Sequence, residues 1–251
     1  MKRGIQPRCG PKLCLLVLVS LLLVSVSAAI ASPKGRDVRL VYSRIWGGPM
    51  AVSIHNEMAN VSGSVGSEWR LISSPEEKIT IFSKDTMKYM VATPRQIVGW
   101  LTGVGGKLPV RWASWKKTNT TKFMKMNVTC WSRTGIRSAS QSAPSDLAEV
   151  WVTNDYLFQE SMRKVVCGLL KCDLPSSGLP VKYVLTEGLD TGSRKSMEMS
   201  KVVRIESAPI SSSDFVLPPG LVKVHDFFQV VATPDATEIF FQVRDPTRVG
   251  K

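Results

Sequence analysis

Trp69-Arg70-Leu71-Ile72-Ser73, Lys78-Ile79-Thr80-Ile81-Phe82 and Thr86-Met87-Lys88-Tyr89-Met90-Val91 are the runs on which the fold turns. Each is short, rich in β-branched and aromatic residues, and alternates apolar with polar or cationic positions. The Pro75–Lys78 and Ser83-Lys84-Asp85 interruptions read as tight turns. A period of two between such turns predicts strands of a meandering antiparallel sheet, with alternate side chains on opposite faces.

The same reading extends outward. Arg39–Trp46 and Ala51–Met58 are expected strands before the meander, and Phe123–Trp131 and Ala148–Val152 after it. Val181–Thr186 and Ser196–Glu206 are expected to form a hairpin. Thr93-Pro94-Arg95-Gln96 opens a short helix: Thr93 can cap the free amides, Pro94 fits the first turn, and Gln96 can reach back to Thr93. Ile97, Trp100 and Leu101 then share one face. A second helix is expected from Asp155 to Lys171, with Leu157, Ser161, Val165 and Leu169 along its core side. The Ser-rich 132–145 stretch reads as an exposed internal loop. The apolar runs 225–233 and 238–243 read as a C-terminal extension, 225–251, with Thr233-Pro234-Asp235-Ala236 either their hairpin turn or the cap of a terminal helix.

Lys2, Arg3, Arg8 and Lys12 precede an uncharged apolar run from Leu13, and small residues lead to Ala29-Ile30-Ala31. That is the pattern of a secretory signal peptide over 1–31, leaving 32–251 as a single domain in the periplasm or outside the cell. Retained instead, Leu13–Ala31 would be just long enough to anchor the chain in a bilayer. Export puts Cys130, Cys167 and Cys172 where oxidation is possible. Because Cys167 and Cys172 stand five apart on an expected helix, their side chains should diverge. Cys130 with one of them is the expected bridge.

The formal charge of +13 falls by four when the leader's basic residues leave with it. Such a surface attracts anionic membranes or acidic proteins. Arg111, Lys116 and Lys117 alternate with Trp112 and Trp115, which suits either an anionic partner or a strand with indoles inside and cations outside. No nucleic-acid module is present in the pattern. Gly103–Gly106 lacks the Lys-Ser/Thr ending of a phosphate loop. His55 and His225 have no ligand-like spacing around them, no Gly-x-Ser-x-Gly elbow occurs, and the carboxylates Asp190, Glu198 and Glu206 belong to an expected hairpin. No catalytic residue, metal ligand or cofactor is therefore expected. Asn60, Asn119 and Asn127 head glycosylation sequons.

Gly178-Leu179-Pro180-Val181-Lys182-Tyr183-Val184, followed after a hairpin by Ser213-Asp214-Phe215-Val216-Leu217-Pro218-Pro219-Gly220, resembles the closing part of the exported bacterial lipoprotein carriers and related periplasmic proteins. Glu149–Val152 and Ile81–Tyr89 resemble earlier strands of that superfamily, so the likeness covers 38–224 with gaps. It implies an α+β fold, a strongly curved antiparallel sheet in the form of a half-open barrel with short covering helices. It also implies a non-catalytic carrier for a lipid or other hydrophobic ligand. A curved sheet leaves a concave face that an apolar ligand can fill, gaining roughly 25 cal/mol per Å² removed from water. The expected lining is Trp69, Leu71, Ile79, Ile81, Met87, Tyr89, Trp100, Trp112, Trp115, Met124, Met126 and Trp151. The alternative is an envelope module with a filled core that docks a protein or anionic membrane through 111–117 and the second helix.

Overall fold

The computed structural model describes residues 37–233 apart from 46–47, 66, 74–75, 77, 103–109, 138–142, 157 and 208. The expected leader and the 238–243 run lie outside the described residues.

One thirteen-stranded sheet dominates. Its first arm is an unbroken meander: β1 (Val38–Arg44), β2 (Met50–His55), β3 (Met58–Val65), β4 (Ser67–Ser73), β5 (Ile79–Ser83) and β6 (Lys88–Ala92). The second arm holds β7 (Arg111–Trp112), β8 (Lys116–Phe123), β9 (Met126–Ile136), β10 (Asp146–Thr153), β11 (Leu179–Glu187) and β12 (Lys195–Glu206). β12 pairs antiparallel with β1 and so joins the two arms at the middle of the sheet. The two ends do not pair with each other. One is closed by β13 (Val222–Lys223), parallel to β6, and the other carries β7 and β8 on β9. The architecture is thus a large, unclosed and almost wholly antiparallel sheet with few helices.

Cross-strand pairing sorts the side chains onto two faces. Trp69, Leu71, Ile81 and Met90 point to one, here the front, through the pairs Leu71 with Ile81 and Ile81 with Met90. Across the junction the front continues with Tyr42 opposite Val202, then Tyr183 opposite Val150. All but Met90 and Tyr183 of these are at most 2 % exposed. Burial on this scale stabilises by about 1.5–3 kcal/mol for each large apolar side chain. Among the described residues, four one-residue bulges interrupt the ladders, beside Val41, Trp151, Tyr183 and Thr118. A bulge bends its strand and deepens the local twist.

Among the described residues, three short α-helices accompany the sheet: α1 (Pro94–Thr102), α2 (Glu160–Leu169) and α3 (Phe227–Val231). The first begins as its sequence dictates. Gln96 N donates to Thr93 Oγ1 at 3.3 Å, and Thr93 N donates to Gln96 Oε1 at 2.9 Å, a reciprocal capping box. α1 and α2 pack together at Gly168, where a Cβ would stand 2.6 Å from a Val98 methyl. α2 also touches β4, so it spans from the second arm to the first. α3 packs on β4, β5 and β6. Its last carbonyls, which a helix end leaves without internal partners, accept from Ser67 Oγ and Thr86 Oγ1 at 2.9 Å each.

The expected outline shifts in four places. The expected strand Ala51–Met58 is broken by a turn at 56–57, so β2 ends at His55 and β3 starts at Met58. The second helix starts only at Glu160, and residues 132–136 extend β9 instead of belonging to the loop. The run from His225 is a helix, not a strand, because Asp226 Oδ1 accepts from Phe228 N at 3.0 Å and so caps it.

Behind the first arm runs a strap, from Ser207 to Val224. Asn60 Nδ2 donates to the Asp214 carbonyl at 2.6 Å, Arg70 lies 3.6 Å from the Asp214 carboxylate, and Phe215 lies against His55. The Asn60 amide of one sequon is therefore buried and engaged. At the sheet edge Val222 N and Val224 N donate to the Met87 and Tyr89 carbonyls.

Candidate functional site

The expected lining residues divide into four groups. Trp69, Leu71, Ile79 and Ile81 are buried together on the front face. Trp100 is half-buried and stacks on Phe227 with ring centroids 5.2 Å apart, which brings α1 against α3. Trp112 and Trp115 are half-buried beside Arg133 in the second arm. The remaining five sit elsewhere.

Met87 and Met124 are 47 % and 40 % exposed, at turn positions with φ of 54° and 47°. The turn after β5 covers 84–87, one residue longer than the expected Ser83–Asp85 and ending two residues later, so β6 starts at Lys88. That shift reverses the phase of the strand: Met90 takes the front, and Tyr89, paired with Phe82, takes the back. Trp151 pairs with Cys130 on β9 and Lys182 on β11, opposite in phase to Val150, and Lys182 Nζ lies 4.9 Å from its ring centre. Met126 shares the Cys130 phase of β9, yet it is buried in the same core cluster as Trp69 and Leu71.

The most distinctive cluster is one that sequence patterning misses. Arg133 is only 9 % exposed. Its guanidinium carbon lies 4.2 Å from the Trp115 ring centre and 4.8 Å from that of Trp112. Nη1 and Nη2 donate to the two Asp173 carboxylate oxygens at 2.8 and 2.5 Å. Cation–π contact and a bidentate carboxylate together hold the side chain in place. Local sequence explains the cage: Trp112 ends β7 and Trp115 lies in the short link to β8, both half-buried, while Arg111, Lys116 and Lys117 remain exposed. The clue in the chain was the Trp/Lys alternation; Arg133 itself lay in the stretch read as a loop. Three buried donors at this cluster lack a hydrogen-bonding partner among the described residues: Arg133 Nε, Trp115 Nε1 and Trp131 Nε1. Trp131 and Arg133 are two apart on β9 and share a face.

The cysteines depart from the expected pairing. Cys130 faces Trp151 and Glu149, and burial pushes its thiol up. Arg133, three residues on, has the opposite phase and lies near Cys172. A bridge from Cys130 to Cys167 or Cys172 would have to pass through the sheet. All three thiols are free and buried. The neighbouring Cys167 thiol, and then burial, raise the Cys172 thiol well above its usual value.

Other polar groups serve the scaffold. Asp37 accepts from His55 Nδ1 at 2.6 Å and from Ile210 N at 2.9 Å, tying β1, β2 and the strap. The Ile210 amide, then His55, hold its carboxyl below the ordinary range. Arg137 joins Asp146 and Glu187 across β9, β10 and β11. Among the described residues no group of three His, Cys, Asp or Glu side chains is placed to hold a metal ion.

No family model matches the chain, and no curated protein matches it. Among solved structures, the lipoprotein LppX of Mycobacterium tuberculosis matches over 79 % of this chain and 97 % of its own, at 12 % identity and a TM-score of 0.29. A putative outer membrane lipoprotein-sorting protein domain from Vibrio parahaemolyticus matches over 72 % and 87 %, at 9 % identity and a TM-score of 0.15.

Proposed function

We propose that this chain is an exported, non-catalytic binding protein for an amphiphile, in the manner of a lipid carrier. The bulged strands curl the sheet, and the apolar front face, with Trp69 and Leu71 in one arm, receives acyl chain. The α1 helix, which carries Trp100, lies over that face and moves to admit it. The observation that carries the reading is the Arg133 cluster beside Trp112, Trp115 and Trp131. Buried donors are nearly always satisfied, so three without a protein partner favour a ligand that brings acceptors. A carboxylate or phosphate head supplies them, and the indole faces accept the first methylenes.

The test is binding of oleate, followed by tryptophan fluorescence, with native mass spectrometry of protein taken from its own envelope. Oleate is expected to bind in a one-to-one complex, and Arg133→Met to weaken it at least tenfold while an uncharged hydrophobic dye still binds. Protein that carries no lipid from its host and binds neither oleate nor dye refutes the proposal.

A second reading rests on β8. Every residue from Lys116 to Lys122 is exposed, and three of them are lysines, which suits an anionic surface. Sedimentation with anionic vesicles that is abolished by Lys116→Glu, Lys117→Glu and Lys122→Glu together, but untouched by Arg133→Met, would favour docking over carriage.

A further inference from the structure

We infer that Cys167 and Cys172 form a disulfide when the protein matures outside the cytosol, and that this bond locks the C-terminal cap of α2 while Cys130 stays a thiol. The inference rests on export, but not on any ligand.

Backbone geometry carries it. Cys172 N donates to the Cys167 carbonyl at 3.0 Å, and Lys171 N donates to the Gly168 carbonyl at 3.0 Å. These are the six-to-one and five-to-two hydrogen bonds of a Schellman cap, with Lys171 at φ 53° in the left-handed position. In that motif the residue two past the C-cap Leu170, here Cys172, folds back onto the residue three before the cap, here Cys167. Those two residues are usually apolar partners; here both are cysteines. Helical spacing would separate positions five apart, but the helix ends at Leu169 and the chain reverses. The fold-back sets the Cys172 thiol beside that of Cys167, the neighbour that raises it.

Two further observations agree. The left-handed cap position normally takes Gly, yet Lys171 occupies it, so the turn is held by something other than its own preference. The only other described thiol, Cys130, lies on the far face of β9. The pair is 8 % and 4 % exposed in the folded chain, so oxidation belongs to folding, when this local cap has formed but the sheet has not closed over it. Two S–H bonds break and one S–S bond forms. The two electrons and two protons pass to the disulfide of an exported thiol oxidant, whose own S–S bond breaks to give its dithiol.

The digestion map makes the test direct, because Lys171 lies between the two cysteines. Full-length protein is expressed in an exporting host. The exported fraction is denatured and alkylated without reductant, then cut with trypsin. The expected product is peptide 165–171 disulfide-linked to peptide 172–182, separating on reduction, with Cys130 alkylated. Recovery of all three cysteines alkylated, or of Cys130 linked to either of the others, overturns the inference. Cys130→Ser is expected to leave the linked pair unchanged, and loss of the link in that variant would equally overturn it.

Discussion

Trp69 lies across Gly63, its partner on the neighbouring strand, so closely that a Cβ at 63 would stand 2.6 Å from the indole. The same device recurs in the other arm, where Trp112 covers its partner Gly135 at 2.8 Å. An indole on a bare backbone buries ring and peptide together, and each needs the missing side chain.

Gly63→Ala is therefore expected to destabilise by about 1–3 kcal/mol through overpacking. Gly99→Ala, in α1, has nothing within 4 Å of the added methyl and is expected to stabilise by roughly 0.5–1 kcal/mol. Urea unfolding of both variants gives the comparison. A silent Gly63→Ala would mean that the indole sits elsewhere.

Leu71→Ala removes a fully buried side chain from the front face. A loss of about 2–5 kcal/mol is expected. Met87→Ala, at an exposed turn, should fall within ~0.5 kcal/mol of the parent. Equal losses at the two positions would contradict the phase assigned to β6.

Acid should loosen the strap first. The Asp37 carboxyl is held below its ordinary range by Ile210 N and then by His55. Its contribution is present above the unfolded pKa of roughly 3.9 and fades as pH falls through the lower folded value. Hydrogen exchange at the Ile210 amide is expected to rise at low pH before exchange in β1. Asp37→Asn should make that exchange independent of acid.

Alkali acts on the front face. Burial, with a smaller push from Cys172, raises Tyr183 to about 12. A raised folded pKa means that stability is complete below the unfolded value of about 10 and is lost as pH climbs towards the folded one. Tyrosinate absorbance should show a late step that disappears in Tyr183→Phe, with unfolding shifted to higher pH in that variant.

At the α2 cap, Lys171→Gly relieves a left-handed non-Gly residue. About 1 kcal/mol of stabilisation is expected in reduced protein, read from the thermal midpoint.

Period-two runs and turn residues were enough to read the first arm as a meander, and Thr93 with Gln96 announced α1 through its cap. The strand phase failed at Met87 because one extra turn residue, in a left-handed conformation, reverses every side chain after it. The cysteine spacing misled for a related reason: it counts helical steps past the point where the helix ends. Arg133 was illegible because its value comes from Trp112, Trp115 and Asp173, which only strand pairing and the α2 cap bring to it. Local pattern encodes strands well; it does not encode which distant side chains complete a buried cation.

The strap and α3 lay the end of the described chain over both sides of its beginning. A polypeptide delivered across a membrane N-terminus first must hold Trp69, Phe82 and their neighbours uncovered until residues near 230 arrive. On the proposed export route, folding of the first arm is thus deferred to the last moments of delivery, and a truncation before Phe227 should leave a sticky, proteolysis-prone half-sheet.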